Sequence, residues 1–134
     1  KTMKLAGISV DDSKAKLTGK WAKSNNLKPN LDHGYQYASG EASAIFPLRV
    51  KESGTYEVRF YWQPYENRTK TAKIEVTHAG GKDTVTLDQT KAPKNKAFLI
   101  LGTFSFTDVL PGAVTISNGT EGTLAIDAVQ LIKK

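Results

Sequence analysis

The sequence predicts an all-β fold: an antiparallel β-sandwich, jelly-roll-like, formed as a single domain over residues 1–134. Three observations carry this expectation. Apolar and polar residues alternate with a period of two along most of the chain, which is the pattern of half-buried strands. Turn residues interrupt that pattern at Gly80-Gly81, Pro111-Gly112 and Asn118-Gly119, where the chain can reverse. Helical periodicity is confined to the short stretch 11–17, with Asp11 or Asp12 as its cap. Many short strands separated by turns imply a sandwich.

The strands follow in order. ASAIFPLRV (42–50) alternates, but Pro47 removes a ladder donor and predicts an edge strand or a bulge. GTYEVRFYW (54–62) places Tyr56, Val58, Phe60 and Trp62 on one face and Glu57, Arg59 and Tyr61 on the other. TAKIEVTHA (71–79) sets Ala72, Ile74, Val76 and His78 against Lys73, Glu75 and Thr77. Gly80-Gly81 then supplies the positive φ of a tight hairpin, so 71–79 pairs with TVTLDQ (84–89). AFLILGTFSF (97–106), AVTISN (113–118) and TLAIDAVQLI (123–132) complete the set.

Composition bounds the function. Of 19 basic residues 16 are Lys, and the net charge is +6. A Lys-dominated excess attracts polyanions without the Arg forks of a base-reading surface. With no recognised nucleic-acid motif, a nucleic-acid partner is not expected. There is no cysteine, so disulfides and Cys-based metal sites are excluded. No apolar run is long enough to cross a bilayer, and no membrane partner is expected. The segment after Lys1-Thr2-Met3-Lys4 has too few apolar residues for a signal peptide, so any export signal is expected to lie outside these residues. Asn-x-Thr sequons at Asn67 and Asn118 are expected by chance at this length.

Nine motifs occur in a fixed order: LTGKW (17–21), Gly34-Tyr35-x-Tyr37, SGTYEVRFYW (53–62), ENR (66–68), VTHAGG (76–81), VTLDQ (85–89), LGTFSF (101–106), VTISN (114–118) and IDAVQL (126–131). In this the chain resembles the golvesin/xanthan-lyase type carbohydrate-binding-like domains, from about Ile8 to Ile132. The resemblance implies a β-sandwich attached to a secreted bacterial enzyme, acting outside the cell or in the periplasm. It also implies a polysaccharide or oligosaccharide ligand. The chain departs from the family pattern at Lys91, Lys94 and Lys96, and at Ala97-Phe98-Leu99-Ile100 before LGTF.

Two histidines, His33 and His78, and scattered acids assemble no catalytic constellation, so the chain is not expected to be an enzyme. His78 reads as a partly buried residue hydrogen-bonded near a turn. Asp127 reads as an acceptor for nearby backbone donors. No cofactor is expected, except that adjacent Asp11 and Asp12 could contribute to a structural calcium site, which needs six to eight oxygens.

The aromatics point further. Trp21, Tyr35, Tyr37, Tyr61 and Tyr65 fall in loops or on outward strand positions, where a ring can stack on the C–H face of a sugar. Arg59, Tyr61, Tyr65, Asn67 and Arg68 form the expected site, with Trp21, Tyr35 and Tyr37 as a second group. The competing readings are that Asn67-Arg68 locks its own loop and that Trp21 plugs one end of the sandwich. The lysines at 14, 16, 20, 23 and 28, with Lys91, Lys94 and Lys96, would favour an acidic polymer if they share an end of the fold. The sequence thus predicts a non-catalytic carbohydrate-binding module, monomeric, beside other domains of its parent protein. The rival is a structural or protein-interaction sandwich that packs on a parent enzyme and binds no sugar.

Overall fold

The computed structural model describes residues 2–3, 6–24, 30–31, 34–95, 97–118 and 121–134; at 2–3 and 30–31 only the backbone is described. Lys28, His33 and Lys96 lie outside the described residues. The strands are β1 (Thr2–Met3), β2 (Ile8–Asp11), β3 (Lys16–Thr18), β4 (Trp21–Ser24), β5 (Asn30–Leu31), β6 (Tyr35–Ser39), β7 (Ala42–Leu48) and β8 (Gly54–Tyr61). They continue with β9 (Ala72–His78), β10 (Gly81–Leu87), β11 (Leu99–Phe106), β12 (Gly112–Asn118), β13 (Thr123–Ile126) and β14 (Ala128–Lys133). The helical stretch expected at 11–17 is a single 3-10 turn, Asp12–Lys14, capped by Asp11, whose side chain accepts from Ser13 N (3.1 Å).

Two sheets face each other across the core. One has the order β10-β9-β12-β7-β3, the other β11-β8-β14-β2, and the pairs are antiparallel. A three-stranded sheet, β13-β6-β4, closes one end; β1 and β5 form a small parallel pair. Phe46, Leu48, Ile74, Val76, Val114 and Ile116 point inward from the first sheet to meet Val58, Phe60, Val129 and Leu131 of the second. Each such buried side chain contributes about 2–3 kcal/mol of hydrophobic stabilisation. A one-residue slip of β9 would exchange Ile74 and Val76 for Lys73 and Glu75, so the alternation fixes the register.

Four expectations are corrected in detail. β7 is not an edge strand: β3 covers it at residues 43–45, and Pro47 lies past the end of that pairing, where a missing N–H costs no bond to β3. The β9–β10 hairpin turns on Ala79-Gly80. Gly81 is its first paired residue and carries the positive φ, 131°. The stretch 123–132 is two strands, because the chain leaves the three-stranded sheet at Asp127 and enters the β8 sheet, Asp127 N donating to Tyr61 O (3.0 Å). The polar face of β8 is not a solvent face: Tyr61 and Glu57 are buried, with Phe98 folded over Tyr61.

Candidate functional site: a buried arginine at the end of the sandwich

β8 ends at Tyr61, and the chain then crosses the end of the sandwich as a loop reaching Thr71. Trp62 anchors the start: its ring stacks on Phe60 (5.8 Å, 13°) and its indole donates to Gln89 O (3.1 Å). Arg68 N donates to Tyr65 O (3.1 Å), which tightens the turn and carries the Arg68 side chain back under it. That side chain is 6% exposed. Its Nε donates to Gln63 O (2.9 Å) and its Nη1 to Asn67 Oδ1 (3.0 Å). The guanidinium carbon lies 5.8 Å from the Tyr35 ring centre and 5.9 Å from that of Tyr65, within cation–π range. Burial pulls the Arg68 pKa below the usual guanidinium value, yet the group stays a cation. Among the described residues no carboxylate pairs with it.

A cleft opens beside this cation, between residues 66–71 and the turn Glu121-Gly122. Gly122 is required there. Its φ is +76°, and a Cβ would lie 2.7 Å from Thr69 Cα. Thr69 N donates to Thr123 O (2.8 Å) and Thr123 N to Asn67 O (3.0 Å), so the loop forms a short parallel bridge to β13. Tyr65, 48% exposed, offers an open ring at the rim. Lys70 and Lys91 flank Asp88, whose carboxyl sits below its ordinary pKa mainly because Thr90 donates to it.

The structure divides the expected site residues. Tyr35, Tyr65, Asn67 and Arg68 meet at this end; Tyr37 lies 6.5 Å from Tyr35, ring to ring. Tyr35 is buried beneath the Arg68 guanidinium. Trp21, on the neighbouring β4, packs against the main core and donates to Thr18 O (3.0 Å), which suits the plug reading. Arg59 and Tyr61 belong elsewhere, on the outer face of β8. Arg59 Nε bonds Glu57 (2.5 Å) and its guanidinium covers Phe98 at 4.3 Å. Tyr61, 6% exposed, donates to Gln130 Oε1 (2.7 Å), and burial raises its pKa. Hydrogen bonding from Arg59 holds Glu57 below the usual carboxylate range.

The acids form a second cluster. Asp11, Asp12 and Asp127 bring carboxylate oxygens within 4.8 Å of one another. Asp12 N donates to Asp127 O (2.8 Å), and Asp127 Oδ2 accepts from Gln63 Nε2 (2.6 Å). Burial pushes Asp12 up to about 7 from its ordinary 3.8, and the Asp11 charge adds to this. Oxygens of this type suit calcium, but three carboxylates fall short of its usual six to eight ligands. His78 is placed as expected. Its Nδ1 accepts from Gly80 N (3.1 Å), its Nε2 bonds Asp83 (2.7 Å), and its ring stacks on Phe104 (4.6 Å). Of the sequons, Asn67 is exposed, whereas the buried Asn118 amide donates to Gly40 O (3.0 Å) and Gly122 O (3.1 Å).

Sequence reasoning counted Gln63 among the polar groups of 59–68 but missed Gln89; both hold this end together. Their signal was a polar residue at the close of an apolar alternation, in FYWQ and in VTLDQ.

A family model of the Golvesin C-terminal domain matches residues 8–133. No curated protein matches the chain. Among solved structures, a Paenibacillus xanthan lyase shares 30% identity at a TM-score of 0.84, covering 94% of this chain and 13% of that one. A family 35 carbohydrate binding module from Clostridium thermocellum shares the fold at 10% identity and a TM-score of 0.68, covering 95% of this chain and 98% of that one. A Podospora anserina GH26-CBM35 β-(1,4)-mannanase has 14% identity and a TM-score of 0.68, covering 95% and 27%. The chain therefore spans a small part of the two enzymes and nearly all of the isolated module.

Proposed function

The chain belongs to the Golvesin C-terminal domain family, and from that premise we propose that it is a non-catalytic carbohydrate-binding module of a larger secreted protein. Its role is to keep an attached enzyme at a polysaccharide, raising the local substrate concentration. The observation that carries this reading is Arg68: a buried cation between Tyr35 and Tyr65, beside an open cleft, with no carboxylate partner among the described residues. Tyr65 offers a face for the C–H side of a sugar ring. Asn67 and Arg68 offer polar groups to hydroxyl or carboxylate oxygens. Lys70 in the cleft and Lys91 nearby offer cations to an acidic polymer, set against Glu66 and Glu121 in the same cleft. The matched xanthan lyase and the family 35 module lend the polysaccharide class its support.

The proposed site is Tyr65, Asn67 and Arg68 with Tyr35 and Tyr37 behind them. Trp21 supports the adjoining sheet; Arg59 and Tyr61 hold Phe98. Affinity per site falls in the micromolar to millimolar range, roughly −4 to −8 kcal/mol. A second role, packing against a neighbouring domain, is favoured by Val109 and Leu110, which are exposed on the 107–111 turn at the other end of β8.

Affinity electrophoresis against acidic and neutral polysaccharides, at low and high salt, tests the module. Retardation that survives salt is the expected result. Retardation only by acidic polymers at low salt would reduce the effect to the lysine charge, and none at all would leave the packing role.

A further inference from the structure

We propose that Gln89 is the positioning residue of this cleft: its buried carboxamide stands in for a neighbouring strand on β13 and so holds the Arg68 loop ready for a ligand. The inference rests on the reading of the cleft as the sugar site.

β13 is an edge strand of its sheet, with β6 on one side. On the other side, among the described residues, the loop backbone bonds β13 at Thr123 alone. Two residues on, Ala125 needs a donor and an acceptor. Gln89 supplies both: Oε1 accepts from Ala125 N (2.8 Å) and Nε2 donates to Ala125 O (2.8 Å). The Gln89 backbone binds the loop itself, N donating to Thr69 O (2.9 Å) and O accepting from Trp62 (3.1 Å). One residue therefore joins both ends of the loop to the strand that the loop bridges. Gln89 is 0% exposed, so water cannot replace these bonds if the side chain is lost. The reach and polarity are selective. Glu lacks the donor, Asn is one methylene shorter, and Met fills similar volume with neither group.

Loss of the clasp leaves the Gln89 backbone bonds to Thr69 and Trp62 without their tether to β13, so the loop between them, Arg68 included, is held less firmly. A ligand must then order the loop as it binds, which lowers affinity. Plain destabilisation of the sandwich does not do this.

The experiment compares Gln89→Met and Gln89→Glu with Val114→Ala, a core substitution in β12. Three readouts are taken: melting temperature, the Kd for oligosaccharides cut from an acidic polysaccharide, and the NMR signal of the Arg68 Nε–H. Both Gln89 variants are expected to weaken binding by about tenfold or more and to shift or broaden the Arg68 signal. Val114→Ala is expected to lower the melting temperature with Kd and signal unchanged. An Arg68 signal left as in the wild type by the Gln89 variants overturns the proposal, as does an equal loss of affinity in Val114→Ala. If the wild type binds no saccharide, the sugar-site reading fails, and the Arg68 signal still decides whether Gln89 positions the loop. If neither Gln89 variant folds, hydrogen exchange in the wild type decides. Slow exchange of the Ala125 amide and the Gln89 side-chain NH2 is expected, and fast exchange overturns the proposal.

Discussion

At the Gly54 end of β8 the turns are held by exposed groups; at the Tyr61 end they are held by buried ones. Ser53 and Asp108 bond each other in the open (3.0 and 3.1 Å), Glu52 pairs with Lys133, and Val109 is 75% exposed. At the far end Gln63, Arg68, Gln89, Asp12 and Asp127 are all buried; Asp12, Asp127, Gln63 and Arg68 are bonded in series, and Gln89 ties the same loop to Ala125. Exposed bonds exchange with water at little net cost, whereas a buried polar group left without its partner costs about 1–3 kcal/mol. A sandwich needs only a core and caps. The concentration of buried polar groups at one end is what favours that end as the proposed site.

The largest effect is expected from Arg68→Ala. It strips the partners from Gln63 O and Asn67 and empties the space between two tyrosines. Stability should fall by about 2–4 kcal/mol in a urea melt, and retardation by polysaccharide should vanish. A mild, binding-only effect would place Arg68 outside the folded network and break the contrast between the ends.

Asp12 sharpens it through pH. Its folded pKa of about 7 lies above its ordinary 3.8. The folded state therefore binds the extra proton between those values. Its contribution is complete below about pH 4 and is lost as pH rises through about 7. Glu57 and Asp88, whose pKa values are lowered, act in the opposite sense at acidic pH. The comparison is therefore with Asp12→Asn, whose melting temperature should fall less than the wild type's between pH 5 and 8. Calcium chloride at pH 8 adds a second arm. A rise in wild-type melting temperature places a cation among Asp11, Asp12 and Asp127, and no change leaves the proton as the relief of their repulsion.

Tyr65→Ala should weaken saccharide binding by about tenfold and move the melting temperature little, since the ring is at the rim. An equal loss of stability would make Tyr65 structural. The smallest effect is expected at the opposite end. Val109→Ser with Leu110→Ser should leave saccharide binding unchanged and stability within about 0.5 kcal/mol per substitution in the urea melt.

The same contrast explains what could be read from the sequence. Strands β8, β9 and β12 were legible because each alternates and each turns its apolar face to the core. Pro47 misled because its strand is covered along only part of its length. The break at Asp127 was hidden because apolar residues continue on both sides of it while the chain changes sheets. Tyr65, Asn67 and Arg68 could be grouped from the sequence because aromatic, amide and guanidinium groups cluster within four positions. Arg59 and Tyr61 were grouped with them because alternation says which face a residue takes, not what covers that face; Phe98 covers it here. Gln89 is joined to Ala125 across 36 positions, a distance over which a single sequence carries no pairing signal.

The most direct test is an NMR titration of the arginine Nε–H signals with oligosaccharides from an acidic polysaccharide. Only Arg49, Arg59 and Arg68 contribute, and Arg→Lys variants assign them. A saturable shift of the Arg68 signal that persists in high salt, with Arg49 and Arg59 still, is the predicted result. A shift confined to Arg59, or none at Arg68 with any saccharide, would contradict the account.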